Sequence, residues 1–383
     1  MAAARQLMFP VRSEEVRENN DLYGGKIMLK RILKIIGIVL LALAVVVGGY
    51  LAYVFISYHR LPDVDDATKL EGEAARTNET YAIATWNLGF GAYSDDFGFF
   101  MDGGTESRAF SKEAVYENLN HAFDALKALK PDFMLLQELD EDATRSYHVN
   151  EVALAGETLD GYSSYYAQNY DSPYLFYPLT RPHGASKAGL LTLTNTGVDR
   201  VARRGLPIEG GFMKFLDLDR CYSKMWIPVD GGKSLILYNL HLSAYTSDGK
   251  IADEQLELLT ADMLAEYEAG NYVVGGGDFN KDLLGDSSAV FGVSGEAYTW
   301  AQPLKDGAIP AGLTLVSSLD AANPIPSCRN ADGQYVPGES FVLTVDGFIV
   351  SDNVRVEACR VVDEGFKCSD HNPVVMTFEL KEE

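Results

Sequence analysis

The chain has 383 residues, 47% apolar and 23% charged, a composition that excludes a disordered or low-complexity protein and leaves room for one large or two ordinary domains. Its 55 Asp and Glu outnumber its 32 Lys and Arg, for a formal charge of −23. Residues 1–60 carry 8 basic and 4 acidic side chains, leaving 24 basic against 51 acidic in the remainder. A field of that sign repels polyanions and slows their encounter, so nucleic acid is a disfavoured partner.

Residues 1–27 are polar and without pattern, and Met28-Leu-Lys-Arg-Ile-Leu-Lys offers a second start site besides Met1. From Ile35 to Ser57 runs an uncharged apolar stretch of about 23 residues, enough for one helical span of a bilayer. Lys26, Lys30, Arg31 and Lys34 precede it, and Asp63, Asp65 and Asp66 follow. The positive-inside rule then keeps residues 1–34 in the cytoplasm and exports everything after residue 60. A cleaved signal peptide is the competing reading. The stretch exceeds the usual apolar region of such peptides, however, and no small-x-small site closes it. The expected organisation is a segment 1–34, a transmembrane anchor 35–57, an acidic spacer 58–77 and a folded domain 78–383.

Within that domain, strand-like runs occur at Ala82–Trp86, Phe133–Gln137, Ser163–Ala167, Gly189–Thr194, Met225–Val229, Leu235–Leu240, Tyr272–Gly275, Val345–Val350, Val354–Val361 and Val374–Leu380. Two helices are predicted. Ser111–Leu129 opens on the N-cap Ser111 and repeats apolar residues at Val115, Leu119, Ala122, Phe123, Leu126 and Leu129. Ile251–Tyr267 follows the turn Ser247-Asp248-Gly249-Lys250. Many strands with few long helices argue for two packed sheets flanked by helices rather than a doubly wound parallel sheet. Cys221, Cys328, Cys359 and Cys368 permit two disulfides, with Cys359 and Cys368 the nearest pair, or four free thiols; none has zinc-ligand spacing.

The chemistry sits at strand ends. Thr85-Trp86-Asn87 ends the first strand with an amide, and Leu136-Gln137-Glu138 ends the second with a carboxylate. Leu240-His241-Leu242-Ser243 ends another with a histidine. Gly275-Gly276-Gly277-Asp278-Phe279-Asn280 reads as a buried strand leading into a glycine turn. Asp346-Gly347-Phe348 and Ser369-Asp370-His371-Asn372-Pro373 complete the set. Unpaired inside a strand core, such groups would cost several kcal/mol each. Clustered at an edge they satisfy one another and a cation.

This ordered set resembles the endonuclease/exonuclease/phosphatase superfamily, over roughly residues 78–381. The resemblance implies an α/β fold: a four-layered α/β sandwich with two central mixed sheets, here preceded by one N-terminal transmembrane helix. It implies a metal-dependent phosphoric ester hydrolase using Mg2+ or Mn2+, with Glu138, Asn87 and Asp370 at the metal. His371 would be the general base or the group polarising the phosphate, held by Asp346. Asp278 would orient the attacking water, Asn280 would bind phosphoryl oxygens, and His241 would contact phosphate or assist the leaving group. The partners implied are a phosphoester substrate, a lipid headgroup among the options, and the bilayer through the N-terminal helix. An extracellular nuclease and a silent surface binding module are the alternative readings. No motif residue is visibly substituted, which favours catalysis over silence.

Outside the motifs, Tyr166 and Asn169 could contact a phosphate, Arg145 and His148 could bring positive charge to an acidic site, and Lys187 opens a strand. The acidic run Asp63–Glu73 lacks the spacing and central glycine of a calcium loop.

Overall fold

The computed structural model describes residues 12–210, 219–244, 250–293 and 301–382. Residues 1–11 of the expected cytoplasmic segment and 247–249 of the expected turn lie outside the described residues. The chain divides into two compact units, Met1–Tyr58 and His59–Glu383.

The first unit is the helix α1 (Arg12–Ser57), which runs on through the basic residues without a proline to break it. Its stretch Tyr23–Ser57, 35 residues, is long and apolar enough to cross a membrane.

The second unit begins with β1 (Val64–Asp66), β2 (Thr80–Asn87), α2 (Lys112–Leu129), β3 (Phe133–Ala143), α3 (Glu151–Thr158), β4 (Ser163–Asp171), β5 (Ser186–Thr194) and β6 (Arg200–Gly205). It continues with β7 (Cys221–Val229), β8 (Lys233–His241), α4 (Lys250–Glu268), β9 (Tyr272–Asp278), α5 (Ser287–Phe291) and β10 (Leu313–Val316). The strands β11 (Cys328–Arg329), β12 (Val342–Leu343), β13 (Asp346–Ser351), β14 (Val354–Val361) and β15 (Val374–Leu380) close the chain. One sheet has the order β1-β6-β7-β8-β9-β13-β10 and the other β14-β15-β2-β3-β5-β4. Among the described residues the parallel strand pairs are β2–β3 and β8–β9, one in each sheet, so both sheets are mixed. Residues read as an acidic spacer are in part sheet: β1 pairs with β6, and Asp65 forms ion pairs with Arg200 and Arg204. The expected helices are present, with Ser111 accepting the Ala114 N–H at 3.1 Å as the N-cap of α2.

Strand alternation builds the layers. In β2, Tyr81 and Ile83 pack between the sheets, whereas Ala84 and Trp86 face the helices; Phe133 and Leu135 alternate with Met134 and Leu136 in the same way along β3. On the other sheet Leu235 and Leu237 face inward, and Ile236, Tyr238 and Leu240 pack with Leu256, Leu259 and Met263 of α4. The result is helix, sheet, sheet, helix: the four-layered sandwich.

All four cysteines are free. Cys359 packs against the cluster between the sheets and Cys368 belongs to the cluster on the helix side, so a sheet separates the pair that sequence proximity suggested.

The glycine run lies inside β9 rather than in a turn. A Cβ on Gly276 would lie 2.4 Å from the Phe348 ring, and one on Gly277, where φ is +151°, 2.0 Å from the Leu240 carbonyl oxygen. Gly277→Ala is therefore expected to destabilise the protein by roughly 2–5 kcal/mol. Gly156→Ala, in α3 with nothing within 4 Å of the added carbon, should be neutral or slightly stabilising. Denaturant titration of both variants checks this.

Candidate active site

The inward stripe of each central strand turns from apolar to polar at one end of the sandwich. Along β2 it reads Tyr81, Ile83, Thr85, Asn87; along β8, Leu235, Leu237, Asn239, His241; along β9, Tyr272, Val274, Gly276, Asp278. The antiparallel β13 delivers Asp346 at its start, in register with Asp278, which is itself in register with His241. Three polar side chains thus stand side by side across three strands. Beneath them Gln137 donates to Asn239 Oδ1 at 2.8 Å, a buried amide link between the sheets.

Glu138 has the wrong parity for this stripe. The β3–β5 register shifts between Leu136 and Leu139, and Glu138 takes a left-handed backbone conformation, φ 57°. The bulge redirects the carboxylate from the helix side to the cavity, a strained arrangement of the kind that collects at functional sites. Asn87 Nδ2 donates to Glu138 Oε1 at 3.2 Å and to Asp278 Oδ2 at 3.1 Å. The loop carrying His371 is pinned from below. Trp86 Nε1–H donates to the His371 carbonyl at 2.8 Å, and Ser369 Oγ donates to the Asn87 carbonyl at 2.7 Å.

His371 Nδ1 lies 2.8 Å from Asp346 Oδ2, which also accepts from Ser327 Oγ at 2.7 Å. Its other nitrogen, Nε2, faces Asp278 Oδ2 at 3.8 Å and Cys328 Sγ at 3.5 Å. His241 Nε2 lies 3.5 Å from the same Asp278 oxygen and 3.8 Å from Glu138 Oε1. Asn280 N–H donates to Asp278 Oδ1 at 2.8 Å, and its amide Nδ2 donates to the Leu242 carbonyl at 2.8 Å. The same amide lies 3.4 Å from Asp278 Oδ2, and Asn280 lines the cavity. Asn87, Glu138, His241, Asp278, Asn280, Asp370 and His371 all line one cavity; Asp346 supports it from behind.

The electrostatics follow from burial. Burial pushes the Asp278 carboxyl up to about 7, with His371 acting against the shift and Asp346 adding to it. Burial opposes the charged form of His371, but the carboxylates of Asp346 and Asp278 and the neighbouring Cys328 hold it well above the ordinary histidine value. His241 is held well below that value, first by burial and then by Arg220 and His371. Asp370 is raised by burial and by Glu138. Asp346 Oδ1 is buried with no partner among the described residues. Crowded carboxylates and amide oxygens short of positive charge fit a hard divalent cation, and Asp278, Asp346 and His371 each offer a ligand atom within 4.8 Å of the others.

Arg220 and Cys328 are among the lining residues that had no signal in the sequence. Arg220, 4% exposed, has Nε without a partner among the described residues and Nη1 3.5 Å from the His241 carbonyl. Cys328 reaches the cavity from the edge strand β11. Conversely, Arg145, His148, Tyr166, Asn169 and Lys187 do not line it. Arg145 is buried in an ion pair with Asp140 at 2.8 Å, with its guanidinium over the Phe90 ring, and His148 pairs with Asp142 at the surface.

Comparison with curated protein sequences finds no match. Among solved structures, an endonuclease/exonuclease/phosphatase from Beutenbergia cavernae DSM 12333 is similar with a TM-score of 0.53 and 18% identity, covering 79% of this chain and 72% of that one. ANGEL2, a 2′,3′-cyclic phosphatase, is similar with a TM-score of 0.53 and 16% identity over 79% of this chain and 96% of its own. The human Nocturnin catalytic domain follows with a TM-score of 0.50 and 16% identity, over 79% and 95%. At these identities the likeness is one of fold. Residues 84–371, from the strand before Asn87 to His371 itself, match the sequence profile of the Endonuclease/Exonuclease/phosphatase family, and the chain belongs to that family of phosphoester hydrolases.

Proposed function

We propose that the protein is a membrane-anchored, outward-facing phosphodiesterase or phosphatase. It hydrolyses a lipid headgroup, a nucleotide or another small phosphoester by in-line attack of water. In this reading residues 1–34 stay in the cytoplasm and 35–57 span the bilayer. Residues 58–77 connect to the catalytic domain 78–383. The observation that carries the activity is the meeting of Glu138, Asn87 and Asp370 with Asp278 and the His371–Asp346 pair in one cavity. The charge of the exported part, 24 basic against 51 acidic side chains after residue 60, favours a small or lipid-linked substrate over a polyanion.

Glu138, Asn87 and Asp370 would hold Mg2+ or Mn2+. Bound there, the ion supplies charge neutralisation to the phosphoryl oxygens. Asp278 Oδ2 faces both histidines and receives the proton of the attacking water, the task its raised proton affinity suits. His371, kept protonated by Asp346, donates from Nε2 to a phosphoryl oxygen, the polarising one of its two expected roles. His241 stays neutral and borders the same space. Asn280 orients Asp278, and Arg220 offers an uncommitted guanidinium nitrogen to the phosphate.

The full chain in detergent is expected to cleave bis-p-nitrophenyl phosphate with Mg2+ or Mn2+ and to stop when the metal is chelated. Folded, metal-bound protein that is inert on this compound and on a panel of sphingomyelin, phosphatidylinositol phosphates, nucleotides and DNA would sink the reading.

A further inference from the structure

Among the described residues outside α1, the most exposed large apolar side chains are Leu179 at 85%, Tyr177 at 68%, Met101 at 54% and Phe176 at 52%. They are not scattered. All four sit on two loops, 98–110 and 172–185, that are bonded into one surface. Arg181 pairs with Glu106 and donates to the Ala109 carbonyl at 2.7 Å, while Ser107 Oγ donates to the Arg181 carbonyl. His183 Nδ1 donates to the Ser107 carbonyl at 2.9 Å, and the Phe100 and Tyr177 rings meet at 5.7 Å. The polar groups are thus spent between the loops, and the apolar tips face outward. Single exposed apolar residues need no explanation, but a contiguous group on an ordered polar frame marks a surface for an apolar partner.

Two observations identify that partner as a lipid surface. The first is charge. The chain carries 51 acidic side chains after residue 60, yet none between Asp171 and Asp199, and Glu106 on the facing loop is neutralised by Arg181. Carboxylates resist entry into a membrane interface, whereas Tyr, Phe and Leu enter it readily. The second is the point of attachment. The apolar helix α1 ends at Ser57, and His59 Nε2 lies 3.5 Å from Asp171, the residue that leads into the 172–185 loop. Arg60 and Leu61 are held by Asp219 at 2.5 Å and 3.3 Å, and β1 then joins the sheet. The two residues from Ser57 to His59 span at most about 7 Å. The anchor therefore enters the catalytic domain beside this loop, through a strap without slack.

We propose that Met101, Phe176, Tyr177 and Leu179 form a membrane-docking surface whose tips enter the interfacial layer of the bilayer. The choice of a bilayer rests in part on the anchor reading and not on hydrolysis. The 98–110 loop also walls the cavity: Asp102 lines it, and Phe99 N–H donates at 2.7 Å to the carbonyl of Ala331, another lining residue. Docking by the tips then keeps the cavity close to the headgroups. In the hydrolase reading this presents it to a phosphoester carried by a lipid ahead of one in bulk water.

The test uses the full chain reconstituted in phosphatidylcholine vesicles. Leu179→Cys, Leu319→Cys and Val45→Cys, each with Cys359→Ser, are labelled with an environment-sensitive fluorophore and challenged with nitroxide lipids. Leu319 follows β10, at the edge of its sheet opposite β1. The expected result is quenching at Leu179 by a nitroxide near the headgroup, quenching at Val45 by one deep in the acyl chains, and none at Leu319. In the chain without any label, a photoactivatable phosphatidylcholine should crosslink to residues 172–181, mapped by mass spectrometry. Phe176→Asp with Leu179→Asp should lower that yield about fivefold or more. A Leu179 label quenched no more than the Leu319 label, in vesicles where Val45 is quenched, overturns the surface and leaves the anchor. Quenching at Leu179 with none at Val45 supports the surface and counts against the anchor. No quenching at either overturns both. A Leu179 label that lipid nitroxides do not reach, but that becomes shielded from a water-soluble quencher as protein density rises, assigns the face to a second copy and overturns the lipid. Protein that gives the expected pattern but hydrolyses nothing supports the surface and counts against the hydrolase reading alone.

Discussion

Asp278→Asn is expected to slow phosphoester hydrolysis by roughly 10²–10⁴-fold while stabilising the metal-free protein by roughly 2–4 kcal/mol. The carboxylate is 1% exposed, and burial pushes it up to about 7 from its ordinary 3.8. The folded chain therefore binds this proton more tightly than the unfolded chain does. Above about 7 the group is ionised in both states, and the whole cost of the buried charge is present. As pH falls from about 7 towards 3.8 the folded state takes up the proton first, and the cost disappears. Chelated wild type should thus gain stability on acidification from pH about 8 to about 5, and Asp278→Asn should lose that part of the slope. Bound Mg2+ should stabilise wild type more than the variant. Thermal unfolding with and without chelator reads all three effects. A variant no more stable than wild type without metal would show that Asp278 is not held against its own desolvation.

The neighbouring carboxylate should behave oppositely. Asp346→Asn is expected to lower kcat by roughly 10²–10⁴-fold and to destabilise the protein by roughly 2–4 kcal/mol at acid pH. Asp346 is the 2.8 Å partner of His371 Nδ1 and is itself fully buried. It is the chief influence raising His371 against the opposing effect of burial. A histidine raised in the folded state contributes stability that is fully present below its unfolded value of about 6.5 and is lost as pH rises through the folded value. The difference in stability between wild type and Asp346→Asn should therefore shrink as the solution is made more alkaline. His371→Ala should match the loss of kcat, because without Asp346 the imidazole loses both its orientation and its charge. A kcat unchanged in Asp346→Asn would detach the pair from catalysis. These opposite stability effects come from residues in direct register on adjacent strands, Asp278 raised chiefly by its own burial and Asp346 bonded at 2.8 Å to the histidine it charges.

Much of this site was legible along the chain because alternation in a strand is strict. Once Ile83 is inward, Thr85 and Asn87 must be inward too; the same holds for His241 after Leu237 and Asp278 after Val274. The strand-end motifs could therefore be read as one edge. The amphipathic period of α2 and its Ser111 cap were visible for the same local reason, as was the apolar run of α1. The glycines of β9 were misread as a turn because their cause is non-local: the Phe348 ring and the Leu240 carbonyl occupy the space a side chain would need.

From sequence alone came the family, the two-sheet class and the motifs whose residues the fold gathers at one cavity, because residue type and, for Asn87, His241 and Asp278, parity within a strand are local properties. The tertiary structure decided what depends on neighbours from elsewhere in the chain. The bulge and positive φ at Glu138 turn a wrong-parity carboxylate into the cavity. Packing on opposite faces of a sheet keeps Cys359 and Cys368 apart. The meeting of Cys328 with His371, 43 positions along the chain, brings a thiol to the site that no spacing in the sequence announces. A local pattern fixes which way a side chain points; only the closed fold fixes what it meets there.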